Sequence, residues 1–440
     1  MYLNGQKSPC ACGKVHQCAL EKVIVGSGAI QDLPDELVRC GCRRVFLLAD
    51  ANTYAAAGHL AEELMLTAGI PCAKYIFPTS PEPDEAAVGA AVMHFDSACD
   101  TVLAVGSGVI GDIAKMLSRV AGTEYLIVAT APSMDGFASA TSSMTRNGLK
   151  VSLPSKCARV IIGDTDILKN APMELLVSGL GDMLAKYISI AEWRIAHRIT
   201  GEYYCETIAE LIRASLRKCV NNADGLIRRD GAAVEAVFEG LVTAGAAMSY
   251  AGVSRPASGV EHYFSHIWDM RGIEFGEKIS THGIQCGVAT LIAARLYGQV
   301  LDTHPDRDRA LAHARCFDPD AWPAELTRFL GKGARDMIEL EKKERKYDPV
   351  RHEARLGTIT EAWEEITAII RAEIPVAADI EDLLVRIGCP TTPEAWGVSE
   401  DLLPMTFKAT KDIRDKYVLS RLAFDLGVLD ELAEALAPKN

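Results

Sequence analysis

The chain has 440 residues, 49% of them hydrophobic and 24% charged, which is the composition of a folded globular protein and too much chain for one ordinary core. Its 59 acidic residues against 46 basic ones give a net charge of −13, which argues against nucleic acid or an anionic membrane surface as the main partner. Residues Met1 to Lys7 carry no apolar core of a signal peptide and no later apolar run approaches 18 residues, so neither secretion nor membrane insertion is expected, and the expected compartment is the cytoplasm.

Thirteen cysteines, an odd number scattered over a large chain, fit a reducing compartment better than a disulfide framework. Several cluster at the start, in Cys10-Ala11-Cys12-Gly13-Lys14-Val15-His16-Gln17-Cys18. Cys-x-Cys lacks the two-residue spacer of a zinc knuckle and no second cysteine pair follows nearby, so a turn carrying thiols is expected rather than a metal site.

Strands are then expected at Lys22–Val25, Arg44–Ala49, Ala73–Phe77, Thr101–Val105, Tyr125–Ala129 and Val160–Ile162, with amphipathic stretches such as Ala56–Ala68 and Glu85–Phe95 between them. This alternation predicts βαβ units around a buried, largely parallel sheet, whose ligands sit beyond the carboxyl ends of its strands. From Asp166 the pattern becomes helical: Ala171–Ile199, Tyr203–Asn221, Ala232–Tyr250, Gly283–Leu301, Ile359–Ile374 and Ile380–Ile387. Glu339 to Lys346 reads as a solvated mixed-charge face. The expected division is an α/β nucleotide-binding domain over residues 1–165 and an all-α metal and substrate domain over 166–440.

Two glycine turns follow strands. Gly26-Ser27-Gly28-Ala29-Ile30-Gln31 resembles a dinucleotide fingerprint but has Gln in place of the third glycine, and Asp50 stands where a ribose-binding carboxylate is expected. Gly106-Ser107-Gly108-Val109-Ile110-Gly111-Asp112 has the full spacing, with a helix expected to begin near Ile110. Thr130, Ser133, Asp135 and Ser139 make the next loop strongly polar, as a binding site would be. Further on, Asp182 sits in an apolar stretch, where a buried carboxylate calls for a cation. His262, His266 and His282 supply imidazoles for one, and an Asp/His/His set leaves a metal an open coordination position. His262 and His266, four apart on one helical face, are both able to reach a single ion. Asp269 and Glu274 lie between the second and third histidines.

Taken together, Thr130-Ala131-Pro132-Ser133-Met134-Asp135-Gly136, Asp166-Ile167-Leu168-Lys169-Asn170-Ala171-Pro172-Met173, Gly181-Asp182, Thr200-Gly201-Glu202-Tyr203-Tyr204-Cys205, Glu261-His262-x-x-x-His266 and Ile413-Arg414-Asp415-Lys416-Tyr417 resemble the family that joins iron-type alcohol dehydrogenases, glycerol dehydrogenases and dehydroquinate synthases. Within it the chain resembles the glycerol-1-phosphate dehydrogenases, in particular their bacterial AraM-like branch, and the N-terminal Cys-x-Cys-Gly-Lys-x-His is similar to that branch as well. The more usual family turn reads Gly-Gly-Gly-Ser where this chain has Gly106-Ser107-Gly108-Val109.

The resemblance implies a dehydroquinate synthase-like fold and interconversion of dihydroxyacetone phosphate and sn-glycerol 1-phosphate with NAD or NADP, in phospholipid biosynthesis. It implies Asp182, His262 and His282 as ligands of one divalent metal, nickel or zinc, with iron as a further option. Asp135, Asp182 and His266 are implied as catalytic and substrate-binding residues. For the cofactor it implies Asp50, Gly106, Gly108, Val109, Ile110, Gly111, Asp112, Thr130, Ala131, Pro132, Ser133 and Ser139. A homodimer acting on a small phosphorylated substrate is expected. Arg146, Lys150, Lys186, Arg255 and Lys278 are the cations near these motifs that offer to hold the phosphate. The competing readings are a glycerol dehydrogenase or other metal-dependent alcohol dehydrogenase, a dehydroquinate synthase-type cyclase, and a nucleotide-binding module without catalysis.

Overall fold

Eight strands carry the first part of the chain: β1 (Lys22–Gly26), β2 (Val45–Asp50), β3 (Cys72–Phe77), β4 (Thr101–Gly106), β5 (Glu124–Ala129), β6 (Thr141–Arg146), β7 (Leu149–Pro154) and β8 (Val160–Asp164). In this computed structural model, which describes residues 10–438, six of them form one sheet in the order β1-β8-β5-β4-β2-β3 with every neighbouring pair parallel. The expectations for Met1 to Lys7 fall outside the described residues. Each expected strand is present within one or two residues, because β2 and β4 are buried at every position and such strands read as unbroken apolar runs. β6 and β7 form a separate antiparallel hairpin that the apolar pattern did not announce.

Helices α1 (Leu33–Arg39), α2 (His59–Thr67), α3 (Glu85–His94) and α4 (Gly108–Ala121) connect the sheet strands. Leu33 and Leu37 of α1 pack with Val45, Leu47, Leu103, Val105, Leu126, Val128, Val160 and Ile162 in one apolar cluster. These are alternate residues of each strand, so a single face of the sheet supplies them. Burying each such side chain contributes about 1.5–3 kcal/mol.

The helical pattern over Ala171–Ile199 resolves into two helices, α5 (Met173–Leu184) and α6 (Lys186–Thr200), followed by α7 (Glu206–Asn221), α8 (Gly231–Ala251), α9 (Val260–Phe275) and α10 (His282–Leu301). Both α8 and α10 are long and apolar enough by composition to cross a membrane, closer to that limit than the sequence reading allowed. Their apolar windows are 67% and 78% buried within the protein, as core helices are. Further on, the pattern expected over Ile359–Ile374 is split between helices at Pro349–Glu361 and Trp363–Glu373. Lys346 corrects a second expectation: its side chain is 9% exposed and its ammonium donates to the Lys411 and Arg414 carbonyls, so it does not belong to a solvated face.

The chain divides into two compact units, Met1–Met183 with Thr207–Ser254, and Leu184–Glu206 with Arg255–Asn440. Residue 165 marks the end of the strands, while the first unit continues through most of α5 and takes back α7 and α8.

Candidate active site

In the first unit the strand order reverses between β2 and β4: β2 leads to β3 on one side, β4 leads to β5 on the other. Ligands of open α/β sheets bind at the carboxyl ends of such strands. Asp50 ends β2 and is 5% exposed. Its Oδ1 accepts the Thr53 N–H and its Oδ2 the Ser80 hydroxyl, so the carboxylate is fixed at the switch point.

At the end of β4, α4 begins at Gly108, two residues earlier than expected, and Ser107 offers no side-chain cap to its first turn. The leading amides of such a helix are a ready seat for an anion. A Cβ on Gly106 would lie 2.6 Å from Ile110 Cβ, so the turn closes tightly there only with glycine, while one on Gly108 would make an ordinary contact with Met134 Cγ at 3.4 Å. Ser107 donates to the Ala131 carbonyl and shares a 2.6 Å hydrogen bond with Ser133, which ties this turn to the 130–136 loop. Asp112 is differently placed. It accepts from Lys115 and from the Ser143 N–H of β6, and burial raises its carboxyl above the usual range.

The first glycine turn proves to be closed by the protein itself. The N–H groups of Gly28 and Ile30 donate to the two oxygens of Asp164 at 3.3 and 3.0 Å. An internal carboxylate stands where a fingerprint turn would receive phosphate.

The 130–139 loop is buried at Thr130, Ala131, Pro132, Ser133, Asp135 and Ser139. Lys115, itself 2% exposed, reaches from α4 to the Gly136 and Thr141 carbonyls and the Ser139 hydroxyl. Nothing in the sequence singled out Lys115. On the other side of the loop, α5 packs against Pro132 through Gly179: a Cβ there would stand 1.8 Å from the Pro132 carbonyl oxygen. Ser178 donates to the Ser133 carbonyl at 2.9 Å. One turn further, Asp182 is fully buried, and its Oδ2 accepts the Asp135 N–H at 2.9 Å. Asp135 and Asp182, distant in sequence, are thus joined.

In the second unit, α9 carries His262 and His266 and α10 begins at His282. His262 Nδ1 lies 2.8 Å from Glu261 Oε1; a carboxylate accepts only, so Nδ1 carries the proton and Nε2 presents a lone pair. Ser265 gives its hydroxyl proton to Gln285 Oε1, which leaves its oxygen to accept from His282 Nδ1 at 3.1 Å. His282 therefore also presents Nε2. That atom is 3.6 Å from the thiol of Cys286, one turn along α10. The two rings lie 5.1 Å apart between centroids, and His262, His282 and Cys286 each offer a donor atom within 4.8 Å of the others. Two imidazoles and a thiol suit a borderline divalent ion. His266 stacks 6.4 Å from the His282 ring. Asp269 instead receives the Gln285 amide, and Glu274 lies beside Gly331. Cys286 escaped the sequence analysis, although its i+4 spacing from His282 was visible.

Glu261 contacts the His262 ring as carboxylates that fix metal-binding histidines do. It also accepts the Gly259 N–H at 2.7 Å and is fully buried. Glu192, on α6, accepts the Val260 and Leu419 N–H groups and the Tyr297 hydroxyl. Burial pushes both carboxyls up, and the Glu261 charge adds to the effect on Glu192. A Cβ on Gly259 would meet Glu192 Oε2 at 2.5 Å and Glu261 Oε2 at 2.7 Å, so only glycine fits between them.

Arg255 is 1% exposed; its fork grips Glu202 and it donates to the Tyr417 carbonyl at 3.0 Å. Gly201, with φ of 72°, ends α6 and turns Glu202 toward it. Two of the sequence strings, 200–205 and 413–417, are joined by this one guanidinium, which is engaged structurally and not open to a phosphate. Lys186 is fully buried with its ammonium on the Ala257 carbonyl. Arg146 and Lys278 are exposed and Lys150 is partly so.

A family model described as iron-containing alcohol dehydrogenase matches residues 24–172. The glycerol-1-phosphate dehydrogenase (NAD(P)+) of Halalkalibacterium halodurans is 33% identical over 295 residues, 66% of this chain and 74% of that protein. The enzyme of that name from Geobacillus stearothermophilus is 27% identical over 413 residues, 92% of each. Among solved structures, maleylacetate reductase from Rhizobium sp. strain MTP-10005 superposes with a TM-score of 0.63 at 15% identity, covering 97% of this chain and 99% of that one. Glycerol dehydrogenase from Schizosaccharomyces pombe gives 0.56 at 16%, over 95% and 90%. The structural likenesses establish the iron-type alcohol dehydrogenase fold, and the sequence likeness places the chain in the glycerol-1-phosphate dehydrogenase family.

Proposed function

We propose that the chain interconverts dihydroxyacetone phosphate and sn-glycerol 1-phosphate with NAD(P)H or NAD(P)+, using one divalent ion held by Asp182, His262 and His282. The observation that carries this reading, beside family membership, is the pair of histidines whose tautomers are set by Glu261 and Ser265 so that both present Nε2. Nickel, zinc and iron all suit the donors. When bound, the ion polarises the ketone oxygen and the nicotinamide supplies the hydride.

The remaining steps belong to the chain. The uncapped first turn of α4, Gly108 to Asp112, receives the pyrophosphate, and Gly106 and Gly111 shape that turn. Asp50 takes the adenine ribose. Thr130 to Ser133, with Ser139, border the nicotinamide. Asp135 and Asp182 orient the substrate hydroxyls, and His266 holds the proton that the nascent alcohol takes up.

A cavity of about 190 Å³ in the second unit supports a phosphorylated substrate over a neutral one. Arg345, Lys346, Arg351, Arg355, Lys411, Lys416 and Arg421 line it, against the carboxylates of Glu202, Glu344 and Asp415. Burial lowers Lys411 and Lys416 to about 7 and Lys346 to about 8, with Asp412 opposing the shift at Lys411 and Lys346 and Arg255 adding to it at Lys416, a condition that a further bound anion relieves. Lys416 also donates to the Ser258 carbonyl, four residues before His262. The reading includes a cytoplasmic homodimer without membrane insertion.

NADH oxidation tests it, on metal-stripped protein reloaded with nickel, zinc or iron. Turnover of dihydroxyacetone phosphate that depends on metal and vanishes in Asp182→Ala is the expected result, and chiral analysis of the product fixes the enantiomer. Equal turnover of plain dihydroxyacetone would move the chain to the glycerol dehydrogenases. Bound NAD and metal with no net NADH consumption would indicate the cyclase chemistry.

A further inference from the structure

We propose that Cys10, Cys12, His16 and Cys205 hold a second divalent cation, a structural zinc of the Cys3His type. Sequence spacing alone argued against a metal here, since the cysteine pair has one residue between its members and no second pair nearby. The fold changes that. The segment from Cys10 turns back on itself, with the Cys10 N–H on the Lys14 carbonyl and the Gly13 N–H on the Cys10 carbonyl, both at 2.8 Å. Gly13 takes a φ of 83°, which a side chain rarely tolerates. The turn brings Cys12 Sγ to 3.4 Å from His16 Nε2, and Cys10, Cys12 and His16 each place a donor atom within 4.8 Å of the others. Tetrahedral ligands at about 2.3 Å from zinc stand about 3.8 Å apart, so only a small contraction is needed.

His16 supplies an independent observation. It is fully buried, and its Nδ1 sits 3.1 Å from the Tyr250 carbonyl on α8. A carbonyl accepts only, so Nδ1 keeps the proton and Nε2 is aimed at the thiols. This is the outer-shell arrangement that fixes a metal-binding imidazole.

The fourth donor follows from chain adjacency. Cys10 Sγ lies 3.3 Å from the Thr207 hydroxyl, and Cys205, 1% exposed, precedes Thr207 by two residues. Cys18 is excluded, because its sulfur accepts the Leu20 N–H and is hydrogen-bonded with Cys157. On binding, three S–H groups release their protons to solvent and three sulfur–zinc bonds form, while neutral His16 binds through Nε2. The site then carries a net charge of −1, with no redox change. Cys10 and Cys12 are partly exposed, which leaves the ion a way in. The ion would pin the 10–16 segment to the C-terminal end of α8 and to the start of α7, a structural role that does not depend on the proposed reaction.

Metal analysis of the full chain by plasma mass spectrometry tests this, together with cobalt substitution. The expected result is one zinc equivalent that persists in Asp182→Ala and is lost in Cys12→Ser and in Cys205→Ser. The cobalt-loaded chain should show thiolate charge-transfer absorption that Cys286→Ser retains and Cys10→Ser/Cys12→Ser loses. Unchanged zinc content in the Cys12→Ser and Cys205→Ser variants overturns the proposal, as does absorption that disappears with Cys286→Ser. Should the cysteine variants fail to fold, the wild-type chain decides. One equivalent of zinc must shield three thiols from a disulfide reagent under native conditions, and no shielding refutes the site.

Discussion

Replacing Gly179 with alanine probes how α5 positions Asp182. The new Cβ would stand 1.8 Å from the Pro132 carbonyl oxygen and 2.9 Å from its carbon, both backbone atoms that cannot swing aside. Restoring a carbon–oxygen contact of about 3.3 Å needs a displacement of about 1.5 Å between α5 and the 130–136 loop. That motion breaks the Ser178 bond to the Ser133 carbonyl and the Asp135 N–H bond to Asp182, each 2.9 Å long. Overpacking costs about 1–3 kcal/mol, the neutral bond about 1 and the charged one about 1.5–3. Alanine returns about 1 kcal/mol of helix propensity. The net loss is about 2.5–6 kcal/mol, and a misplacement of about 1 Å at a reacting group lowers kcat/KM about 100-fold. The assay is thermal unfolding beside NADH oxidation with dihydroxyacetone phosphate. Gly298→Ala on α10 is the control. Gly298 is exposed with nothing within 4 Å of its added Cβ, so it should gain about 0.5–1 kcal/mol. A Gly179→Ala protein that melts at or above the wild-type temperature with unchanged kcat/KM would refute the contact with Pro132 as what fixes Asp182.

Glu261→Gln keeps an acceptor for His262 but removes its charge, so nickel or zinc affinity measured by calorimetry should fall about 10–100-fold; equal affinity would count against the orienting role. Arg255→Lys retains the charge but not the fork on Glu202 or the bond to Tyr417, and should cost about 3 kcal/mol in urea unfolding, with no change refuting it. Burial, then the Glu261 carboxylate, raise Glu192 from 4.5 to about 8, so between those values the folded state keeps a proton that the unfolded chain has released. Stability contributed by this group is therefore greatest below pH 4.5 and declines as pH rises toward 8. Urea midpoints at pH 5, 6, 7 and 8 should show that decline, less steeply in Glu192→Gln; an identical slope in the variant removes Glu192 as its source.

The sheet was legible because its strands are buried on both faces and their sequences are continuous apolar runs. The β6–β7 hairpin was not, because Thr141-Ser142-Ser143-Met144-Thr145-Arg146 has no such run and is fastened by distant groups. Asp112 accepts the Ser143 N–H and receives the Ser142 hydroxyl on its carbonyl. The break between Glu361 and Trp363 escaped notice for a related reason: neither glycine nor proline marks it. For the proposed metal site, residue types pointed to Asp182, His262 and His282 as candidates, and the family resemblance made them a set. Gln285 behind Ser265 was hidden by sequence distance, and Glu261 was visible as part of the Glu261-His262-x-x-x-His266 string, but its bond to the His262 ring was not.

The two glycine turns show where local reading ends. Both follow a parallel strand, and both gather backbone N–H groups into a concave turn. At Gly28 the neighbouring strand β8 ends in Asp164, whose carboxylate takes the Gly28 and Ile30 amides. At Gly108 the neighbouring strand β5 ends at Ala129 and leads into Thr130 and Ala131, which bring no charge, and the first turn of α4 has no side-chain cap. A glycine turn is therefore a seat for a phosphate only where the fold has not provided its own anion. What decides is the residue at the end of the adjacent strand, 136 positions away for Gly28, and only the pairing of β1 with β8 brings it there.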